Sequence, residues 1–289
     1  MFSNSPVDQI LLENHTYYVK RDDLLHPDFS GNKARKFAWF FDHAPLHVTR
    51  IVSYGSNQSN AMYSLSVLAR IKGWEFIYVC DHVSTTLKYN PIGNYAYALQ
   101  NGMQLIISSS RRDKALSFVQ DEHTLLIEEG GAQKEAAYGL KMLAQEIELW
   151  AQKNRLEPTV FLPSGTGVSA LYLQRYLPYD VVTCNCVGSV EYLQEQWRRL
   201  EEDQRLWPTA LNAPRGFHYG KPKRESYAIW KKIKEQTSIE FDLIYDPVGW
   251  LTLLAHENQL KKPILYIHQG GIKGNVSMLE RYLYKKIAP

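Results

Sequence analysis

Three cysteines in 289 residues, Cys80, Cys184 and Cys186, are too few for a disulfide framework and fit a reducing compartment. No apolar run reaches the roughly 18 residues that a membrane span needs. The first basic residue is Lys20, so the charged start of a secretory leader is missing as well. The chain therefore reads as cytoplasmic, with no membrane partner. A surplus of either charge is also lacking, since 33 Lys+Arg stand against 30 Asp+Glu and both signs are mixed along the chain. Charge gives no reason to expect nucleic acid, and the basic runs at 221–224 and 231–234 read as solvated faces. A Walker loop, a dinucleotide-binding G-x-G-x-x-G in the first strand–helix unit and an internal repeat are all absent. No His or Cys pair at metal-ligand spacing lies near Cys184-x-Cys186, and no metal is expected.

What is present is ordinary globular composition, 45% hydrophobic and 22% charged, over a length that suits about two domains at roughly 150 residues each. Short β-rich runs at 50–54, 75–80 and 103–108 alternate with helical patterns at 60–72 and 90–101. The rhythm resumes with strands at 159–162, 181–187 and 264–268 and helices at 134–153, 168–175 and 190–200. Strand, helix, strand in that order predicts an α/β protein of two domains, each an open, largely parallel sheet flanked by helices. The helix over 134–153 is the best defined, with Ala137, Leu140, Met142, Leu143, Ile147 and Trp150 at helical spacing. Hinges are expected at 44–46 and 154–158, which gives a large domain of 1–43 plus 154–289 and a small one of 44–153. Cys184 and Cys186, two apart in an apolar run, read as one face of a buried strand.

Three segments carry chemistry, each where a strand or loop meets a helix. In Gly31-Asn32-Lys33-Ala34-Arg35-Lys36, a lysine stands at a helix start. The partial positive charge of the helix N-terminus lowers an amine pKa there and favours condensation with an aldehyde, although a surface turn has the same look. Tyr54-Gly55-Ser56-Asn57-Gln58-Ser59-Asn60-Ala61 packs small polar groups at the carboxyl end of a strand, where sheets bind ligands, or else supplies only a helix cap. Pro163-Ser164-Gly165-Thr166-Gly167-Val168-Ser169 offers backbone amides and hydroxyls at a helix N-terminus, which suits a phosphate. Together they describe an imine-forming lysine, a polar segment and a phosphate cup, the set that pyridoxal phosphate needs.

The order Lys20-Arg21-Asp22-Asp23-Leu24, Gly-Asn-Lys-x-Arg-Lys, Gln58-Ser59-Asn60, Glu129-Gly130-Gly131 and Ser164-Gly165-Thr166-Gly167 resembles the 1-aminocyclopropane-1-carboxylate deaminase and D-cysteine desulfhydrase family. Its members are pyridoxal-phosphate enzymes of the tryptophan-synthase β-subunit fold type (fold type II). The resemblance implies that Lys33 holds the cofactor and later moves protons, with Ser59 the serine that attacks or contacts substrate. It implies that Asn60 bonds the cofactor ring hydroxyl and Asn32 borders the ring, and that Ser164, Gly165, Thr166, Gly167 and Ser169 cradle the phosphate. Glu129-Gly130-Gly131 would shape the small domain. Gln269 would lie by the pyridine nitrogen, and Gln58, Tyr219 and Trp250 would border the substrate. A small amino-acid substrate, release of ammonia and a 2-oxo acid, and a homodimer follow from the same resemblance.

Three departures stand against it. Ala61 replaces a polar residue of the family, and Gln269 replaces a hydroxyl. In Asp246-Pro247-Val248-Gly249-Trp250, the family's tyrosine is missing at 249, a space that Tyr245 or Trp250 could fill. A diverged, non-catalytic or regulatory protein is the alternative that these departures favour.

Overall fold

The computed structural model describes residues 4–288. The chain opens with β1 (Val7–Leu12) and β2 (His15–Arg21), an antiparallel hairpin. Its two-residue turn, Glu13-Asn14, has positive φ at both positions, the geometry whose twist matches the flanking strands. Next come α1 (Gly31–His43), β3 (Arg50–Tyr54), α2 (Asn60–Lys72), β4 (Glu75–Cys80), α3 (Thr85–Tyr89), α4 (Gly93–Gln100), β5 (Met103–Ile107), α5 (Arg111–Leu116) and β6 (Thr124–Ile127). The second half holds α6 (Ala136–Asn154), β7 (Thr159–Ser164), α7 (Val168–Tyr176), β8 (Val181–Asn185), α8 (Val190–Arg198), β9 (Thr209–Leu211), α9 (Arg224–Thr237), α10 (Asp246–His256), β10 (Ile264–His268) and α11 (Asn275–Tyr284). The helix expected over 90–101 starts at Gly93, because Pro91 holds the preceding residue out of helical geometry.

Two sheets result, one of order β1-β2-β10-β7-β8-β9 and one of order β5-β4-β3-β6. Every neighbouring pair is parallel except the opening hairpin. Strands β7, β8 and β10 are buried along their whole length, as parallel strands covered on both faces must be. Cys184 and Cys186 lie in one core cluster of the larger sheet, although β8 ends at Asn185 and only Cys184 is on the strand.

Helices α1 and α6 form the seam between the two halves. Ala34, Phe37 and Phe40 of α1 join Ile51, Met62 and Leu65 in the core of the smaller sheet. Leu140, Leu143 and Ile147 of α6 instead pack with Val160, Leu162 and Ile267 of the larger one. The two helices touch backbone to backbone, since a Cβ on Gly139 would stand 2.0 Å from the Arg35 carbonyl oxygen. Beside this contact Arg35 donates to Asp22 (2.9 and 3.0 Å) and to Glu146 (2.7 and 2.8 Å), and Lys20 donates to Glu146 (2.6 Å). This buried network ties α1 to β2 and α6, and so fixes the rotation of the helix whose first turn carries Lys33. Among the described residues no helix is long and apolar enough to cross a membrane.

Candidate active site

A cavity of about 750 Å³ lies where the loops after β3, β6, β7 and β10 converge. It sits outside the carboxyl ends of parallel strands, where α/β sheets bind ligands. The first turn of α1 enters it through Gly31, at φ +68°. A Cβ at that position would stand 2.0 Å from the Gln269 carbonyl oxygen, so only glycine lets the helix start against the end of β10. The Asn32 amide nitrogen donates to that carbonyl (3.0 Å) and its side chain donates to Gln269 Oε1 (3.0 Å). Gln269 Nε2 donates in turn to the Pro163 carbonyl (2.6 Å). Both ends of the Gln269 amide are therefore held.

Lys33 projects from this turn, exposed only in part, and its Nζ donates to the Gly130 carbonyl at 3.1 Å. Burial lowers the amine from its ordinary value to about 8, partly opposed by the negative charge of Glu129. Lys36, one turn on, donates to the same carbonyl at 3.1 Å. Burial first, and the Lys33 charge second, hold its amine well below the usual range. Two amines thus share one neutral carbonyl.

The glycine loop expected to form a phosphate cup follows β7 and lines the cavity. Gly167, at φ +74°, makes way for Trp197, whose Nε1 would lie 2.3 Å from a Cβ and donates to the Gly167 carbonyl at 3.0 Å. The backbone from Ser164 to Val168 lines the cavity at the start of α7. Ser164 Oγ donates to Thr183 Oγ1 (2.6 Å), whose own proton goes to the Leu162 carbonyl (2.7 Å), while Ser169 Oγ is buried with no partner. A buried hydroxyl left unpaired beside a glycine loop and a helix N-terminus fits the phosphate of a cofactor. Opposite, Ser59 caps α2 and accepts from the Ala61 amide (3.1 Å). Gln58 donates to the Ile92 carbonyl (3.2 Å) and accepts from the Tyr95 amide (3.4 Å), which spends its amide on placing α4.

Lys33, Asn32, Gln58, Ser59, Asn60, Ser164, Gly165, Thr166, Gly167, Ser169, Tyr219 and Gln269 thus line one cavity. Trp250 does not. It is fully buried in the core, stacked on Tyr266 at 4.3 Å between ring centroids and edge-on to Tyr17 and Phe241. The expectation for position 249 changes too: a Cβ on Gly249 would stand 2.5 Å from the Tyr266 hydroxyl and 3.1 Å from Pro163, so no tyrosine fits there. A phenol nevertheless reaches the cavity from Tyr245, one helical turn earlier, and its hydroxyl lies 2.8 Å from that of Tyr219. Burial raises the Tyr245 phenol well above its ordinary value, and the nearby Tyr219 and Asp242 push the same way, so it keeps its proton at neutral pH. Ala61 is buried in the smaller core and not in the cavity wall, so its small side chain answers to packing. His268 is a core residue stacked on Phe241, with Nε2 on the Glu240 carbonyl (2.9 Å).

Sequence reasoning missed Lys36, Glu129, Gly130 and Asp242 as parts of the wall, and left Tyr245 as one of two candidates for the space at 249. Lys36 carried a signal, since three residues from Lys33 puts it on the same helix face. A carbonyl such as that of Gly130 has none.

No family model matches the chain. It is 23% identical over 282 residues to a putative 1-aminocyclopropane-1-carboxylate deaminase of Thermotoga maritima, covering 89% of each chain. To a D-cysteine desulfhydrase of Yersinia pestis it is 25% identical over 297 residues, covering 88% of this chain and 86% of that one. A crystal structure of a homologue of 1-aminocyclopropane-1-carboxylate deaminase superposes with a TM-score of 0.78 at 20% identity, covering 98% of this chain and 94% of the other. The resemblance carried by the short motifs thus extends along nearly the whole chain. The fold is that of pyridoxal-phosphate enzymes of fold type II.

Proposed function

We propose that this chain is a pyridoxal-phosphate-dependent lyase or deaminase of the D-cysteine desulfhydrase or 1-aminocyclopropane-1-carboxylate deaminase kind. It acts on a small amino acid and releases ammonia and a 2-oxo acid, with sulfide as well when the substrate is D-cysteine. The observation that carries this reading is the meeting of a buried Lys33 amine with an anion cup whose Ser169 hydroxyl has no protein partner. When bound, pyridoxal phosphate supplies an electron sink that stabilises negative charge on the carbon next to the substrate nitrogen.

The chain's own residues do the rest. With its pKa near 8, Lys33 is neutral in roughly a tenth of molecules at pH 7, far more than an ordinary lysine. It can therefore attack a carbonyl, and later take and return a proton at the substrate carbon. The backbone amides from Ser164 to Val168 and the Ser169 hydroxyl bind the phosphate, and Lys36 regains a favourable charge beside that anion. Ser59 and the N-terminus of α2 face the substrate. Tyr245, kept protonated and hydrogen-bonded to Tyr219, donates to a leaving group. Gln269, a neutral amide held at both ends, leaves a pyridine nitrogen near it unprotonated, which suits β-elimination. A small domain closing on a large one would exclude water, with the bounds 44–153 and 1–43 plus 154–289 redrawn so that α1 goes with the smaller sheet and α6 with the larger, and the molecule works as a homodimer. Against a non-catalytic reading, Tyr245 restores a phenol to the cavity and Ala61 lies outside its wall.

The test is turnover: purified protein with pyridoxal phosphate is given D-cysteine, L-cysteine and 1-aminocyclopropane-1-carboxylate in turn, and sulfide, ammonia and 2-oxo acid are assayed. Release from at least one, lost in Lys33→Ala, is expected. A loaded protein inert toward all three and toward other small amino acids would leave the non-catalytic alternative standing.

A further inference from the structure

Asp242 lies in the cavity wall just before α10, 2% exposed. Its Oδ1 accepts from the backbone amides of Ile244 (2.9 Å) and Tyr245 (2.5 Å), an aspartate turn that leads into α10. Its Oδ2 is buried and makes no hydrogen bond of full geometry. The turn needs one oxygen, so the second is unexplained by local structure.

Across the cleft, at the start of α2, stands Asn60. Its Oδ1 accepts from Asn94 Nδ2 at 2.7 Å, which settles the orientation of the amide and turns Nδ2 the other way. That nitrogen faces Gly271, where a Cβ would stand 2.6 Å from Asn60 Nδ2 and 3.2 Å from Asp242 Oδ2. Gly271, at φ +85°, is thus the gap through which the amide and the carboxyl approach each other.

We propose that Asp242 is a positioning residue for Asn60, its free oxygen taking an amide proton of Asn60 across the cleft and so fixing how that amide is presented to the cavity. The line Asn94, Asn60, Asp242 then joins α4 and α2 of one sheet to the turn before α10 on the other. Burial raises the Asp242 carboxyl to about 6, opposed by its amide donors and by Asn60. The titratable groups that feel its charge are Asp246, Tyr245, Tyr219, Cys186 and Tyr282. Above about pH 6 the carboxylate accepts from Asn60; below it the free oxygen carries a proton, meets the Asn60 amide donor to donor, and the tie loosens. Only the consequence for the cofactor rests on the function proposed above, because both side chains face the Gly271 gap in the protein by itself.

The experiment reads the contact without cofactor. In ¹⁵N-labelled protein, the Asn60 side-chain amide signals are assigned by their loss in Asn60→Ser and followed from pH 5 to 8. The wild type is expected to show a shift with a midpoint near 6 that Asp242→Asn abolishes. Because an asparagine carbonyl oxygen can accept from the same two turn amides, the thermal midpoint of Asp242→Asn should stay close to wild type. In the loaded protein the same variant should bind pyridoxal phosphate less tightly and change the pH dependence of its visible band. An Asn60 signal that does not titrate, or that titrates unchanged in Asp242→Asn, overturns the proposal whether or not the cofactor binds. Failure of the wild type to bind pyridoxal phosphate would overturn the proposed function and leave the amide titration to decide this one.

Discussion

Replacing Tyr245 by phenylalanine removes one oxygen and leaves the ring that packs over Gly165, 3.4 Å from where a Cβ there would be. The structural loss is the 2.8 Å contact with the Tyr219 hydroxyl, a hydrogen bond worth about 1 kcal/mol, or roughly 2 °C in thermal midpoint for a chain of this size. The chemical loss is far larger if the phenol donates a proton to the leaving group. Removing a placed general acid costs roughly 10²- to 10⁴-fold in kcat, or about 2.7–5.4 kcal/mol of barrier. The assay is steady-state turnover of D-cysteine beside a thermal melt of the same preparation. A large fall in kcat with a nearly unchanged melt is the expected pair. A kcat within roughly threefold of wild type would remove Tyr245 from the chemistry and refute the reasoning that it supplies the phenol missing at 249.

Gly139→Ala, with a Cβ 2.0 Å from the Arg35 carbonyl, should push α1 from α6, cost about 1–3 kcal/mol and lower the thermal midpoint. Glu146→Gln strips Arg35 and Lys20 of a buried carboxylate and should cost roughly 3–5 kcal/mol in urea unfolding. Ser169→Ala should weaken pyridoxal phosphate and inorganic phosphate binding several-fold, read by absorbance and by competition, with little change in stability. Since burial depresses the Lys33 amine below its ordinary value, the neutral, nucleophilic form grows as pH rises. The rate of cofactor attachment should therefore climb with pH and level off above about 8; stopped-flow absorbance that shows a rate falling over pH 7–9 would contradict this.

Where strand end, glycine and helix start coincide, the sequence was legible. Lys33, the Ser59–Asn60 turn and the 164–169 loop all sit at such junctions, and all line the cavity. The signal failed inside α10, which is apolar around most of its girth: Pro247, Val248, Gly249, Trp250, Thr252 and Leu253 are all buried. Periodicity then cannot say which residue meets the cavity. Only the packing of Gly249 on Tyr266 turns that position inward and leaves Tyr245 at the wall. The seam of α1 and α6 was hidden for a related reason. Their apolar stripes are visible in the chain, but nothing in a stripe says which sheet it will cover, and the two helices cover different ones.

The central claim is that Lys33 is the attachment point of pyridoxal phosphate. Protein incubated with the cofactor, reduced with borohydride and cut into peptides should carry the pyridoxyl mass on Lys33, with the visible band bleached on reduction. A pyridoxyl group found on Lys36 alone, scattered over surface lysines, or not found at all would contradict the account.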